Sequence, residues 1–459
     1  MPKVYSAHWV LPIISPAIND GAVVVDDSAI IAVGPRTDIH AAFPDATQED
    51  FGNAAILPGL VNAHSHLELT AMRGFLEREE HDFFAWLKKL TIARLKMTAE
   101  DLFVSAACGS VEAARAGITC LGDSSSFAAQ SLRAITEVGL RAIVYQESFG
   151  PDPKLAEENV SKLRAQLDAT RVLETKLVRA GVSPHAPYTV SAPQLEMISR
   201  LALDEHLPVM THAAESRAEQ QFLHNGTGPF AEGLKARSIE WQAPAVSTMR
   251  YLHDHGVLDT MPLLAHCINV DDNDLQLIKE ANAGIAHCPK SNAKLRHGRA
   301  PFSNFIAQGI NVGLGSDSVA SNNICDILEE ARFATLLARV DSTDLNLRSR
   351  SAHPQPAVSA TDALFAATLG GARALGLDDQ VGALSEHMQA DMAIVSLDGL
   401  HHQPVRDPHD ALVFSSSGRD VLLTLVAGKE IYRHGRAASV GEESLRQKLE
   451  DISRKLDLA

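Results

Sequence analysis

Two imidazoles stand two residues apart in Asn62-Ala-His64-Ser-His66, directly after an apolar run that begins at Ala54. In a strand, residues i and i+2 project to the same face, so both rings can reach one metal ion. A second apolar run ends in Val209-Met-Thr-His212-Ala-Ala-Glu215, which offers a third imidazole and a carboxylate leaning over the same place. A third, Val312-Gly-Leu-Gly-Ser-Asp317, closes on one acidic group suited to a ligand or a base. A fourth, Leu263-Leu-Ala-His266, closes on another His. Neutral imidazole and carboxylate suit zinc or ferrous iron, and a catalytic site keeps one position for water. Such an ion lowers the pKa of bound water from about 15.7 toward about 7.

These groups need a scaffold that brings several strand ends together. Short apolar runs at 54–66, 117–123, 141–149, 178–185, 208–212, 261–267, 284–288 and 310–317 are separated by segments mostly long enough for a helix. Parallel strands need such crossovers, and eight of them close most simply into a (β/α)8 TIM-like barrel, an α/β fold. Five of the eight runs end in His or Asp, as expected where strand C-termini share one polar site. The flanks instead carry short β-like pieces, such as Gly21-Ala-Val-Val-Val and Val421-Leu-Leu-Thr-Leu-Val. The expected organisation is a small β-sandwich domain formed by both termini (1–56 and 376–440), a barrel over 57–375 and a C-terminal helix over 441–459.

Composition agrees with an enzyme acting on a small molecule. The chain has 459 residues, 41 Lys+Arg against 57 Asp+Glu and a net charge of −16. That balance argues against nucleic acid or an anionic membrane as partner. No signal peptide and no run of about 18–20 apolar residues is expected, which places the chain in the cytoplasm. Five widely spaced cysteines form no Cys-x-x-Cys pair, so neither a disulfide framework nor a structural zinc knuckle is indicated.

In these motifs and their order the sequence resembles the amidohydrolase superfamily, in its branch of cyclic-amidine deaminases and triazine chlorohydrolases. The resemblance runs from Leu57-Pro-Gly-Leu-Val-Asn-Ala-His-Ser-His66 through Ser183-Pro-His185-Ala-Pro-Tyr188 and His212-Ala-Ala-Glu215. It continues in Ala265-His-Cys267, His287-Cys-Pro-Lys-Ser-Asn292, Gly315-Ser-Asp317-Ser and Ala390-Asp391. It implies that His64, His66, His212 and Asp317 bind one divalent metal, zinc ahead of iron. It further implies that Glu215, His266 and Asp317 serve catalysis around the attacking water, and that His185 contacts substrate. Two-metal relatives carry a lysine at the end of the fourth strand; Ser183-Pro-His185 stands there, which implies a single metal. A homo-oligomer is common in this family.

The resemblance also bears on substrate. Deaminases of methylthioadenosine and S-adenosylhomocysteine place a ribose-binding Glu shortly after a Trp-Leu pair; here Trp86-Leu87 is followed by Lys-Lys-Leu-Thr-Ile-Ala-Arg-Leu. They also carry an Arg where this chain reads Val144-Tyr-Gln-Glu147. The segments His64-Ser-His-Leu-Glu68 and His212-Ala-Ala-Glu-Ser-Arg-Ala-Glu219 look more like deaminases of 6-amino-6-deoxyfutalosine, a step of menaquinone biosynthesis. That substrate carries a benzoate, for which Arg73, Arg217 and Arg296 are candidate partners by position, while Glu68 and Glu147 could hold hydroxyls or ring nitrogens. Methylthioadenosine/S-adenosylhomocysteine deamination and triazine-type hydrolysis are the alternatives.

Overall fold

The computed structural model describes residues 1–346 and 358–457. Residues 347–357, inside the stretch expected to form the barrel, and 458–459, at the end of the expected C-terminal helix, lie outside the described residues. The first strands are β1 (Lys3–Val10), β2 (Ile18–Asp26), β3 (Ala29–Pro35), β4 (Thr47–Asp50) and β5 (Ala54–Pro58). Eight strands alternating with helices follow: β6 (Leu60–Ser65), β7 (Ile118–Ser125), β8 (Arg141–Ser148), β9 (Val178–Pro184), β10 (Met210–Ala213), β11 (Leu263–His266), β12 (Gly284–His287) and β13 (Asn311–Leu314). The last are β14 (Met392–Ser396), β15 (Val421–Val426), β16 (Lys429–Arg433) and β17 (Arg436–Ala437).

The eight middle strands form two parallel sheets, β6-β7-β8-β9 and β10-β11-β12-β13. The sheets touch at both edges: Val182 bridges Val209, and Ser65 bridges Asp317, each in parallel sense. The main-chain N–H of Asp317 donates to the His64 carbonyl at 2.9 Å across the second of these seams. Helices cover the outside, so these strands are buried almost throughout, which is why they read as near-continuous apolar runs rather than alternating ones. Val61, Ala63, Ile143, Tyr145, Met210 and Ala265 belong to one apolar cluster drawn from strands of both sheets.

The run 54–66 does not stay in one sheet. β5 pairs with β1 and β14, while β6 pairs with β7, and the chain changes sheet at Gly59. A Cβ on Gly59 would fall 2.1 Å from the Thr119 side chain, so the approach of the two segments admits only glycine. Both flanks of the chain pair in one nine-stranded sheet through the antiparallel β5–β14 ladder. The two flanks thus meet, as the sequence suggests, in one continuous hydrogen-bonded sheet; two facing sheets are not seen as separate units. The C-terminal helix Glu442–Asp457 buries Ile452 and Leu456. They join an apolar cluster with Trp86 and Leu90 of the helix Phe83–Arg94.

Candidate active site

The strand ends deliver the expected groups to one place. One donor atom each from His64, His66 and Asp317, and likewise from His64, His212 and His266, lie within 4.8 Å of one another. His66 Nε2 stands 3.3 Å from His212 Nε2, and Asp317 Oδ1 stands 3.5 and 3.6 Å from His64 Nε2 and His66 Nε2. The tautomers follow from the outer partners. His212 Nδ1 donates to the His185 carbonyl at 2.9 Å, which leaves its Nε2 lone pair facing inward, and His266 Nδ1 donates to Asn292 Oδ1 at 2.8 Å.

Backbone geometry aims these groups. His266 (φ 76°), Asp317 (φ 54°) and Ala214 (φ 53°) all adopt left-handed conformations that non-glycine residues seldom take, at a cost of order 1–3 kcal/mol each. Hydrogen bonds hold them there. Glu219 accepts from the main-chain N–H groups of Ala214 and Glu215, both at 2.9 Å, and from Thr248 Oγ1 at 2.9 Å. Asp317 Oδ2 accepts from Ser291 Oγ at 2.6 Å, and its Oδ1 accepts from the Ser318 N–H at 2.7 Å. Gly315 runs so close beneath that a Cβ would meet Cys288 Sγ at 2.9 Å and His64 N at 3.1 Å.

Burial sets the protonation states. It drives the His64 imidazole down to about 3 and His185 well below its usual range, so both rings are neutral. Burial opposes ionisation of Glu215, yet the imidazoles of His266 and His297 outweigh it and hold the carboxyl at about 2. Glu215 Oε1 lies 3.7 Å from His266 Nε2 and 3.5 Å from His297 Nε2. Burial likewise opposes ionisation of Asp317, and nearby His64 holds it well below the carboxylate range.

These residues fit a divalent ion. Both ring nitrogens of His64 are buried without a hydrogen-bond partner among the described residues, an arrangement that costs free energy unless something else takes the lone pair. The inward Nε2 atoms of His66 and His212 converge at the separation expected of two nitrogens that share one ion about 2.0–2.1 Å away.

A cavity of about 60 Å³ lies over this cluster, lined by His66, His185, His212, Glu215, His266 and Asp317 below. Its roof is the helix Phe83–Arg94, through Phe83, Trp86, Leu87, Leu90 and Arg94. His185 stands in the wall, its Nδ1 2.8 Å from Thr189 Oγ1 and its ring 4.6 Å from that of Phe149. Arg94 Nη1 lies 3.5 Å from Glu147 Oε2 and 3.8 Å from Glu68 Oε1, longer than the about 2.7–2.9 Å of a tight charged hydrogen bond. Glu68 is satisfied by Ser125 Oγ and the N–H groups of Ser126 and Phe127.

Of the arginines singled out in the sequence, none reaches this cavity. Arg73 is exposed and pairs with Glu112 and the Asn323 carbonyl, and Arg217 and Arg296 are exposed. The cation in the wall is Arg94. The Trp86-Leu87 motif was its available signal, because Arg94 lies two helical turns farther along the same face. His297 carries no comparable pattern, and Glu219 stood out only as the end of the segment 212–219.

The Amidohydrolase family model matches residues 55–431. The chain belongs to the amidohydrolase family. Among curated relatives, this amidohydrolase is 32% identical to the 5-methylthioadenosine/S-adenosylhomocysteine deaminase of Nitratidesulfovibrio vulgaris (strain Miyazaki F), over 95% of this chain and 93% of that one. It is 31% identical to the enzyme of the same name from Moorella thermoacetica, over 95% of each. Among solved structures, an adenosine deaminase from Xanthomonas campestris with bound zinc superposes with a TM-score of 0.84 at 25% identity, covering 100% of this chain and 99% of that one. A triazine hydrolase variant superposes at 0.83 with 22% identity over 98% and 99%, a likeness of fold. No helix among the described residues is long and apolar enough to cross a membrane.

Proposed function

We propose that this amidohydrolase is a metal-dependent deaminase that replaces the exocyclic amine of a purine-like nucleoside with a carbonyl and releases ammonia. We also read the two parallel sheets, bridged at both seams, as one closed (β/α)8 barrel. The observation that carries the functional reading is the convergence of His64, His66, His212 and Asp317 beneath one cavity, with Glu215 and His266 beside them. His64, His66, His212 and Asp317 would hold one divalent ion, zinc ahead of iron, which supplies Lewis acidity and makes water acidic enough to attack at neutral pH.

The protein's own groups handle the remaining steps. Glu215, ionised between two imidazoles, takes the proton of the attacking water and delivers it first to a ring nitrogen and then to the departing amine. His266, held by Asn292, and Asp317, held by Ser291 and Ser318, orient the attacking water. The Glu219 carboxylate fixes the backbone from which Glu215 projects. His185 and Tyr188 flank the ring-binding space, Tyr188 with its hydroxyl 3.4 Å from Glu215 Oε2.

The substrate that best matches the wall is 6-amino-6-deoxyfutalosine. Arg94 occupies the segment in which ribose-reading relatives carry a Glu, and a guanidinium pairs bidentately with a carboxylate such as a benzoate. Methylthioadenosine or S-adenosylhomocysteine is the second reading, favoured by the names of the relatives about 30% identical to this chain. Ammonia release by zinc-loaded protein, with aminodeoxyfutalosine, methylthioadenosine, S-adenosylhomocysteine, adenosine and guanine side by side, decides between them. Aminodeoxyfutalosine is expected to react fastest, with Arg94→Ala raising its KM at least tenfold and leaving adenosine nearly unaffected. Preference for a thioether nucleoside, with no effect of Arg94→Ala, would move the assignment to the second reading.

A further inference from the structure

Far along the chain from the catalytic groups, His401 and His402 form a short turn beside Asp420, the residue just before β15. One donor atom from each of the three lies within 4.8 Å of the others. His402 is buried. Its Nε2 lies 3.0 Å from Ser416 Oγ, and that hydroxyl already donates to the Ala411 carbonyl at 3.2 Å. The Ser416 oxygen must therefore accept, so His402 carries its proton on Nε2 and a bare lone pair on Nδ1. That Nδ1 is buried and has no hydrogen-bond partner among the described residues. Burial first, and then the neighbouring His401, lowers the pKa of His402 and keeps the ring neutral, the form that ligates metal.

The other two groups point the same way. His401 packs its ring 3.9 Å from that of His402, with Nε2 3.2 Å from Asp420 Oδ1. Asp420 Oδ2 accepts from the Ser417 N–H at 2.8 Å, which fixes the carboxylate and leaves Oδ1 for the histidines. The space between the rings is kept open by Gly399. A Cβ there would lie 2.6 Å from His401 Nδ1 and 3.2 Å from His402 Nδ1. A buried lone pair without a donor is unfavourable, and a cation shared with the adjacent imidazole and carboxylate removes that cost.

We propose that His401, His402 and Asp420 form an accessory site for a borderline transition-metal ion such as zinc, separate from the catalytic one. Two imidazoles and one carboxylate select Zn²⁺, Ni²⁺ or Cu²⁺ over Mg²⁺ or Ca²⁺. The exposed edge of His401 leaves room for water to complete the coordination. A bound ion ties the turn Leu400–His402 to the turn Gly418–Asp420, which leads into β15, and so acts as a staple on the terminal sheet.

The test is metal content of the full-length protein, stripped with chelator, reloaded with excess zinc at neutral pH and passed through a desalting column. The wild type is expected to retain about two zinc ions per chain, and His401→Ala and His402→Ala about one. His66→Ala is expected to keep the accessory equivalent while losing the catalytic one. Because His401 is exposed, its replacement does not threaten the fold, and ammonia release by His401→Ala should equal that of the wild type. Zinc should also raise the melting temperature of the wild type more than that of His401→Ala. One zinc per chain in the wild type, or a second equivalent that survives both His401→Ala and His402→Ala, overturns the proposal.

Discussion

Glu215 sits between two imidazoles, and only one of them was visible as a strand-end histidine. His266 faces it from β11. His297 approaches from the loop after the helix Pro289–Lys294, with its ring edge-on to Phe83 at 4.4 Å and its Nε2 buried without a hydrogen-bond partner among the described residues. If Glu215 moves the protons, Glu215→Gln keeps the metal and the charge-neutral shape but loses about 10²–10⁴-fold in kcat, the usual worth of a positioned acid–base group. His297 acts through Glu215. Its replacement by Ala is therefore expected to lower kcat by about tenfold, change KM less than twofold and leave metal content intact, with His297→Gln recovering part of the loss. A drop in metal content would show instead that His297 supports the ligand cluster. The strand-end groups were legible because apolar strands that stop on His, Asp or Glu have few structural reasons to do so. His297 and Glu219 were not, because neither a loop position nor a helical glutamate signals which backbone it will reach.

At the scale of elements, the helix Phe83–Arg94 governs access. The cavity over the strand-end groups, of about 60 Å³, lies directly under this helix, so substrate reaches those groups past it. Asp82 caps it, its carboxylate accepting from the Ala85 N–H at 3.1 Å, and Lys89 ties it to the Phe75 carbonyl at 3.1 Å and Glu79 at 2.9 Å. Its buried face, Trp86, Leu90 and Ala93, shares an apolar cluster with Ile452 and Leu456 of the C-terminal helix. The C-terminal helix therefore sets how easily the roof lifts. Shortening both side chains (Ile452→Ala with Leu456→Ala) should speed amide hydrogen exchange across 83–94 and raise KM, while exchange in β7 and β8 stays slow. Equal acceleration everywhere would mean that the change merely lowers global stability. The role of 83–94 as a roof was not legible in the sequence, since it depends on a partner about 360 residues away in the chain.

For the whole molecule, eight apolar runs separated by helix-length segments were enough to read the parallel strands. The nine-stranded sheet was harder to read because its two halves lie about 340 residues apart in the chain and pair through the β5–β14 ladder. The change of sheet at Gly59 was not legible because the apolar run continues across Pro58-Gly59 into Leu60 and Val61. Beside the apolar core they share, a buried ion pair joins the terminal sheet to the parallel strands. Arg141, the first residue of β8, donates through Nε and Nη2 to Asp391 Oδ2 and Oδ1 at 3.0 and 3.1 Å, with both side chains almost wholly inaccessible. Asp391 also accepts from the Ala427 N–H at 2.8 Å, and its carbonyl accepts from the Gly59 N–H at 2.9 Å, so the strand switch and the pair share one anchor. Burial opposes the charge on Arg141, but Asp391 outweighs it and raises the guanidinium pKa. Removing one partner strands a charge in a dry site. Arg141→Met alone should therefore cost about 3–5 kcal/mol in urea unfolding. The double change Arg141→Met with Asp391→Asn, which leaves no unpaired charge and keeps an acceptor for Ala427, should cost clearly less than the single one. If instead the double variant is as unstable as the sum of the two singles, the pair contributes no coupling, and the terminal sheet is held by the β5–β14 ladder and its apolar contacts alone.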